Sequence, residues 1–150
     1  MPGVNQPITI TVNDAEVRNA LNALRGKMKG LRRPLGEIGR KMKISTYQRF
    51  VDSKDPDGRD WSPNSLLTKM NWAKEMGRSV SEKKPLVWHN HLRDTLRYQA
   101  SAFELLVGTN QEYAAIHQFG QGVPLRPFLG VSKQDRVDIL EILFDHLNKP

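Results

Sequence analysis

TLRYQASAFELLVGT, running from Thr95 to Thr109, is the stretch whose reading decides the fold. In Thr95–Ser101 the apolar residues Leu96, Tyr98 and Ala100 alternate with polar ones, and in Phe103–Thr109 Phe103, Leu105 and Val107 recur at every second position. A period of two puts each set on one face of an extended strand. With so small a gap between them, the two segments are expected to pair as an antiparallel hairpin. A lone two-stranded hairpin is marginal in water and needs a helix or further strands against its apolar face.

The flanking sequence supplies helices. Val17, Leu21, Leu24 and Met28 fall four, three and four apart, which places them on one helical face. Asn13 or Asp14 is the expected N-cap, and Gly26 and Gly30 weaken the end. Arg33–Pro34 is expected to reset the chain before a second stripe, Leu35, Ile38 and Met42, closed by Phe50 and Val51. Residues 14 to 51 are thus read as a helical pair or one broken helix. Behind the hairpin, Ser132 and Asp135 have the spacing of a capping box, and Val137, Leu140, Phe144 and Leu147 are the expected buried stripe of a last helix. A short strand is expected at Ile8–Val12. The expected fold is α+β in one domain, 1–150, with N-terminal helices and a C-terminal helix packed on a small antiparallel sheet.

Between the helices and the hairpin lies less regular sequence. Asp52 to Pro63 is turn chemistry, with Asp57–Gly58 as its strongest signal and Trp61 expected to anchor the loop to the body. Ser65 to Met76 is expected to be helical and Gly77 to Pro85 polar and mobile, so the whole of 52–85 reads as a loop region.

The 150 residues, 38% apolar and 26% charged, suit a soluble globular domain. No apolar run approaches a membrane span, and no secretory signal or membrane partner is expected. The absence of Cys excludes disulfides, Cys-ligated zinc and thiol catalysis. The net charge is +7 and unevenly spread: Arg18, Arg25, Lys27, Lys29, Arg32, Arg33, Arg40, Lys41 and Lys43 face one acid, Glu37, within 18–43. The last segment is richer in acids, with Asp135, Asp138, Glu141 and Asp145. Arg18, Arg25, Lys29, Arg32, Arg33 and Arg40 are the candidate basic patch, for nucleic acid, for another protein's acidic surface, or as a solvated helix face.

Chemistry-bearing patterns are sparse. His89-x-His91 with His117 is a weak zinc pattern with no acidic ligand tied to it, and His117 alone reads better as a hydrogen-bonded imidazole in a helical turn. There is no phosphate-cradling loop and no G-x-S-x-G elbow. No metal or cofactor is expected, and the chain is not expected to be an enzyme. Aromatic residues are not interleaved with the basic ones, so nucleic-acid binding would be salt-sensitive and indifferent to sequence.

One further stretch carries most of the functional information: YAAIHQFGQGVPLRPFLG, Tyr113 to Gly130. Tyr113–Phe119 is long enough for about two helical turns stopped by Gly120, and Pro124 and Pro127 stiffen the chain beyond that stop. Arg126, between the prolines, is expected to be held outward toward a partner's carboxylate. Phe119 and Phe128 are expected in the core. Tyr113-Ala-Ala-Ile-His-Gln-Phe-Gly120 followed by Pro124-Leu-Arg-Pro-Phe-Leu-Gly130 resembles the phage virion morphogenesis, or tail completion, family of Mu-like and P2-like tailed phages and prophages. Gly58-Arg-Asp-Trp61-Ser-Pro63 with Thr68 and Lys69, Leu86-Val87 through Leu92-Arg93-Asp94, and Val107-Gly108-Thr109-Asn110 resemble further segments of that family, in order. The chain departs from it at Asn90, where a Gly often stands, and at His89 and His91; Asn is the next-best residue for a left-handed backbone there.

The resemblance implies a non-enzymatic protein of late virion assembly, acting at tail completion or head–tail joining, with a fold like that of small head–tail joining proteins. Its partners would be tail or head-connector proteins and copies of itself, rings included, and it would be found in the virion and, during assembly, in the host cytoplasm. Arg126, Pro124, Pro127, His117, Gln118 and Trp61 are the candidate interface residues. In a head-to-tail ring the basic 18–43 face and the acidic last helix would be complements. Sequence-independent nucleic-acid binding is the second reading.

Overall fold

A computed structural model describes residues 14–27 and 30–148. The strand expected at 8–12, Met28 and Lys29, and the side chains of Leu24 and Arg25 lie outside the described residues. The elements are α1 (Ala15–Lys27), α2 (Arg32–Asp52), α3 (Leu66–Met76), a 3₁₀ turn at Val80–Glu82, α4 (His91–Asp94), β1 (Arg97–Ala100), β2 (Leu105–Gly108), α5 (Ala114–Phe119) and α6 (Lys133–Asn148). Helices around a small antiparallel sheet make this an α+β fold, as expected.

Asp14 caps α1, its Oδ1 accepting from the amides of Glu16 at 3.0 Å and Val17 at 3.3 Å. Gly30, at φ 110°, turns the chain into α2. Pro34 does not reset the chain as expected. It lies buried in the first turn of α2, where a missing N–H costs nothing.

Strands β1 and β2 pair with Tyr98 opposite Val107 and Ala100 opposite Leu105, so these four share the face turned to α2. The strands are shorter than expected. Residues 101–104 form the connection, pinned by the Ser101 amide donating to the Glu104 carbonyl at 2.8 Å and by amides donating to Ser101 Oγ. Helix α2 crosses this hairpin at Gly39, where a Cβ would stand 2.5 Å from the Tyr98 ring and 2.8 Å from Leu105. Only glycine admits so close an approach of helix to sheet. Phe103, expected to share the buried face, is instead 64% exposed in the connection.

Two apolar clusters result, and α2 runs through both. Its first half gives Leu35, Ile38 and Met42 to a cluster with Val17 and Ala20 of α1 and Ile139, Ile142 and Leu143 of α6. Its end gives Phe50 to a second cluster with Trp61, Leu92, Leu96, Phe128 and Leu129. Phe50 meets Trp61 edge-on at 5.3 Å between centroids and Phe128 at 5.6 Å, the spacing of attractive aromatic pairs. Val51, by contrast, is exposed.

The capping box of α6 is formed: the Ser132 amide donates to Asp135 Oδ2 at 2.9 Å and the Asp135 amide to Ser132 Oγ at 3.0 Å. The stripe expected on this helix is out of phase. Ile139, Ile142 and Leu143 are buried, Leu140 and Leu147 partly so, and Val137 and Phe144 exposed. Within 52–85, α3 forms where a helix was expected, and the polar run 77–85 holds a 3₁₀ turn. Gly58 turns a small bridge between Lys54 and Asp60, Ser65 caps α3 through the Thr68 amide, and Ser79 and Glu82 form a capping box on the 3₁₀ turn.

Candidate interaction surface

The segment after α5 is built from the inside. Gln118, buried on α5, accepts from the amides of Phe128 at 2.9 Å and Leu129 at 3.0 Å through Oε1 and donates through Nε2 to the Leu129 carbonyl at 2.9 Å. Arg49 of α2 donates to the carbonyls of Phe128 at 2.8 Å and Gly130 at 3.0 Å. Its other nitrogen reaches Asp135 Oδ2 at 2.5 Å and Ser45 Oγ at 3.3 Å. Trp61 Nε1 donates to the Pro127 carbonyl at 2.7 Å. Three distant side chains thus satisfy consecutive carbonyls and amides of a loop that makes no sheet of its own. Burial alone pulls the Arg49 guanidinium's pKa down, and the adjacent Asp135 carboxylate opposes that by favouring the charged form.

Arg126 is not held outward. It is 6% exposed, and it donates through Nε to the Ser62 carbonyl at 2.8 Å and through Nη2 to that of Pro63 at 3.0 Å. The guanidinium therefore ties the tryptophan loop to the loop at 124–130. Gln118 and Trp61 are likewise interior residues, 8% and 5% exposed. The physical reason is common to all three: turns leave backbone carbonyls and amides unpaired, and these side chains are the nearest partners. Of the expected interface residues, Pro124 is exposed and Pro127 and His117 are half-buried. Phe128 is fully buried, as expected, whereas Phe119 is 56% exposed at the end of α5. Gly120 does stop that helix, at φ 68°.

Beside this latch lies a cleft of about 440 Å³ between the start of α3, the 83–92 segment, α5 and the 123–126 loop. Asn90 takes the left-handed conformation, φ 63°, that its place as a glycine substitute requires, and Leu86 does so as well at φ 61°. Lys83, Arg126, His117 and His91 bring basic groups to the cleft, and Val87, Leu92 and Val123 line its apolar side. Lys83 is buried, its amine donating to the Lys84 carbonyl at 2.5 Å and the Val87 carbonyl at 2.6 Å between the rings of Trp72 and Trp88. Burial, and then the positive charge of Arg126, bring its pKa down to about 8. The same two causes lower the pKa of His117.

The sequence singled out three histidines of this cleft but not Lys83, which no pattern marks. His89 and His91 stack at 5.5 Å, and His89 Nε2 lies 3.0 Å from Glu75 Oε1. Among the described residues no group of three or more His, Asp or Glu is placed to hold a metal ion.

Of the basic patch, Arg18, Arg32, Arg33 and Arg40 are exposed. Arg32, Arg33 and Arg40 fall within one side of α2. The ion pairs between α6 and the start of α1 run opposite to the overall charge pattern: Arg136 meets Asp14 at 2.6 Å and also pairs with Glu16. The outer side of α3 carries Leu66, Leu67 and Met70, all more than half exposed. On α2, Ile44, Tyr47 and Val51 line up at the same helical spacing, exposed as well. No helix of the described residues is long and apolar enough to cross a membrane.

Comparison with known proteins extends these observations. The chain is 39% identical over 75 residues to Mu-like prophage FluMu G protein 2 of Haemophilus influenzae, a match that covers 45% of this chain and only 54% of that relative. It is 25% identical over 131 residues to tail completion protein S of Escherichia phage P2, covering 80% of this chain and 86% of that one. It is 30% identical over 111 residues to putative capsid assembly protein G of Escherichia phage Mu, covering 66% and 68%. No solved structure matches. The model of the phage virion morphogenesis family matches residues 12–148, which takes in the tryptophan loop, the hairpin, the latch and α6, and the chain belongs to that family.

Proposed function

We propose that the protein acts late in phage virion assembly, at tail completion or head–tail joining, as a non-enzymatic component that works as a multimer. The observation that carries this reading is the family match across residues 12–148, alongside relatives named for tail completion and capsid assembly. The surface agrees with it. Leu66, Leu67 and Met70 on α3 and Phe119 and Leu125 beside the latch present large apolar side chains to solvent, and apolar patches of this kind mark surfaces that other proteins cover. Its place would then be the virion, reached from the host cytoplasm, with tail or head-connector proteins as neighbours.

Electron microscopy of lysates from the parent phage lacking this gene is the direct test. Full heads beside separate or overlong tails, restored to joined particles by supplying the protein, is the expected result. Intact joined particles without the gene would remove the assembly role.

The multimer has its own check. The expected arrangement sets the basic side of α2 in one copy against the acidic side of α6 in the next, where Glu141 and Asp145 are exposed and Asp138 partly so. Arg32→Glu with Arg33→Glu should lower the self-associated mass in sedimentation at low salt, and Asp138→Lys with Glu141→Lys should restore part of it. Unchanged mass in the first variant would sink this arrangement.

A second reading rests on one observation. Exposed Arg32, Arg33 and Arg40 on one side of α2, in a chain of net charge +7, suit sequence-independent contact with nucleic acid.

A further inference from the structure

The cleft beside the latch holds an electrostatic arrangement that the fold leaves unfinished. Lys83 and Arg126 are each 6% exposed, both reach it, and the carbonyls they bond are neutral. Among the residues that line the cleft there is no Asp or Glu. Glu75, which reaches the cleft residues His89 and Trp88, is already taken by that imidazole and indole. The rings of Trp72 and Trp88 beside Lys83 offset part of its charge, but a ring face is a weak counter-ion. Buried charges are ordinarily paired, so two of like sign facing one space call for an anion.

A second, independent observation points the same way. Two buried polar atoms have no partner in the described protein and belong to residues of this cleft, Nδ2 of Asn64 and Nδ1 of His117. Asn64 Nδ2 is a donor, and the imidazole nitrogen becomes one in the protonated ring or the matching tautomer. The unmet demand of the cleft is therefore for acceptors. Leu86, a bulky residue held at φ 61° on the cleft wall, is the kind of backbone strain that persists where a shape is required.

We propose that this cleft receives an acidic peptide segment of another protein, a carboxylate seated among Lys83, Arg126, Asn64 and His117 with a neighbouring apolar side chain against Val87, Leu92 and Val123. The volume, about 440 Å³, suits one or two side chains. A nucleic-acid duplex carries its phosphates on a convex ridge and offers nothing apolar to the Val87–Leu92 wall. That the segment comes from a virion protein rests on the assembly reading above; the chemistry of the cleft does not.

The test is a titration of the full ¹⁵N-labelled protein, followed by backbone amide shifts. The probes are acetyl-Leu-Asp-Leu-amide, its Asn counterpart, inorganic phosphate and a short DNA duplex. Expected is a shift of the amides of Val87, Trp88, His91 and His117 by the Asp peptide, at a concentration about tenfold below that of the Asn peptide, the ratio one charge-assisted hydrogen-bonded contact provides. Lys83→Met, with Arg126 still in place, should shrink the difference between the two peptides. Equal effects of the two peptides, or no cleft shifts at millimolar Asp peptide, overturn the proposal. So does phosphate acting as well as the Asp peptide, which would make this a bare anion site, or DNA acting better, which would make it a phosphate-backbone site. Normal virions without the gene would remove the assembly reading while leaving this titration untouched.

Discussion

Arg49→Met should cost about 3–5 kcal/mol of folding stability, the scale seen when one partner of a buried ion pair is removed. The guanidinium reaches Asp135 at 2.5 Å with the two side chains 6% and 5% exposed, and it also holds the Phe128 and Gly130 carbonyls. Methionine fills the volume but leaves a buried carboxylate facing no cation and two carbonyls facing no donor. Part of the loss comes from the stranded charge, so it should shrink when the charge goes too. In an Asp135→Asn background Arg49→Met should cost about 1–3 kcal/mol less, by a double-mutant cycle in urea. Arg49→Lys is the sharper comparison. It keeps the charge but replaces a planar fork with a single ammonium, which cannot serve the carboxylate and both carbonyls in their different directions. A loss below about 1 kcal/mol for Arg49→Met would mean that the pair is worth no more than a surface bridge.

Arg49 also shows where sequence reading stops. The stripe Leu35, Ile38, Met42 and Phe50 is legible because apolar side chains repeat with the helical period. Arg49 stands seven residues beyond Met42, in phase with that stripe, but a charged residue there reads as solvent-facing. Phe128, Gly130 and Asp135, which it holds, lie 79 to 86 residues away, and nothing local announces them. The hairpin, the Ser132–Asp135 box, the Asp57–Gly58 turn and the Gly120 stop were legible for the opposite reason, since each is settled within a few residues. Asp135 belongs to both worlds. Its cap could be read from three residues upstream, while its ion pair with α2 could not.

The misphased stripe of α6 has another cause. Val137, Ile139, Leu140, Ile142, Leu143, Phe144 and Leu147 cover more than one face of that helix, so two apolar stripes compete in the sequence. Packing decides between them: α6 lies against both α1 and α2, and the face holding Ile139, Ile142 and Leu143 is the one that meets both. At the candidate site the sequence gave the polar residues of the 113–130 stretch the wrong direction. Proline before and after Arg126 does stiffen the chain, but stiffness does not say which way a side chain points. Two unpaired carbonyls, of Ser62 and Pro63, took the guanidinium inward. Lys83 was missed altogether, because a basic residue in the polar run 77–85 reads as solvated until the fold places Trp72 and Trp88 beside it.

Gln118→Met tests the latch from the other side. The side chains are close in volume, so the change removes one acceptor and one donor and little else. The amides of Phe128 and Leu129 and the Leu129 carbonyl then lie buried without partners. At roughly 1–3 kcal/mol for each stranded group, with some relief from relaxation, the expected loss is about 3–4 kcal/mol in urea unfolding. Because Gln118 and Arg49 hold adjacent parts of one loop, the two losses should not add. Once either is gone the loop can move, and the second removal should cost less than it does alone. Phe119, one residue on and exposed, is the control: Phe119→Ala should leave stability within about 0.5 kcal/mol. If the loop were shaped by a partner at docking, Gln118→Met would leave the free protein's stability near that of Phe119→Ala, and the latch would be a binding device alone. A loss of several kcal/mol in the isolated chain instead means that the loop is pre-formed, so that a partner docking beside it has no loop entropy left to remove.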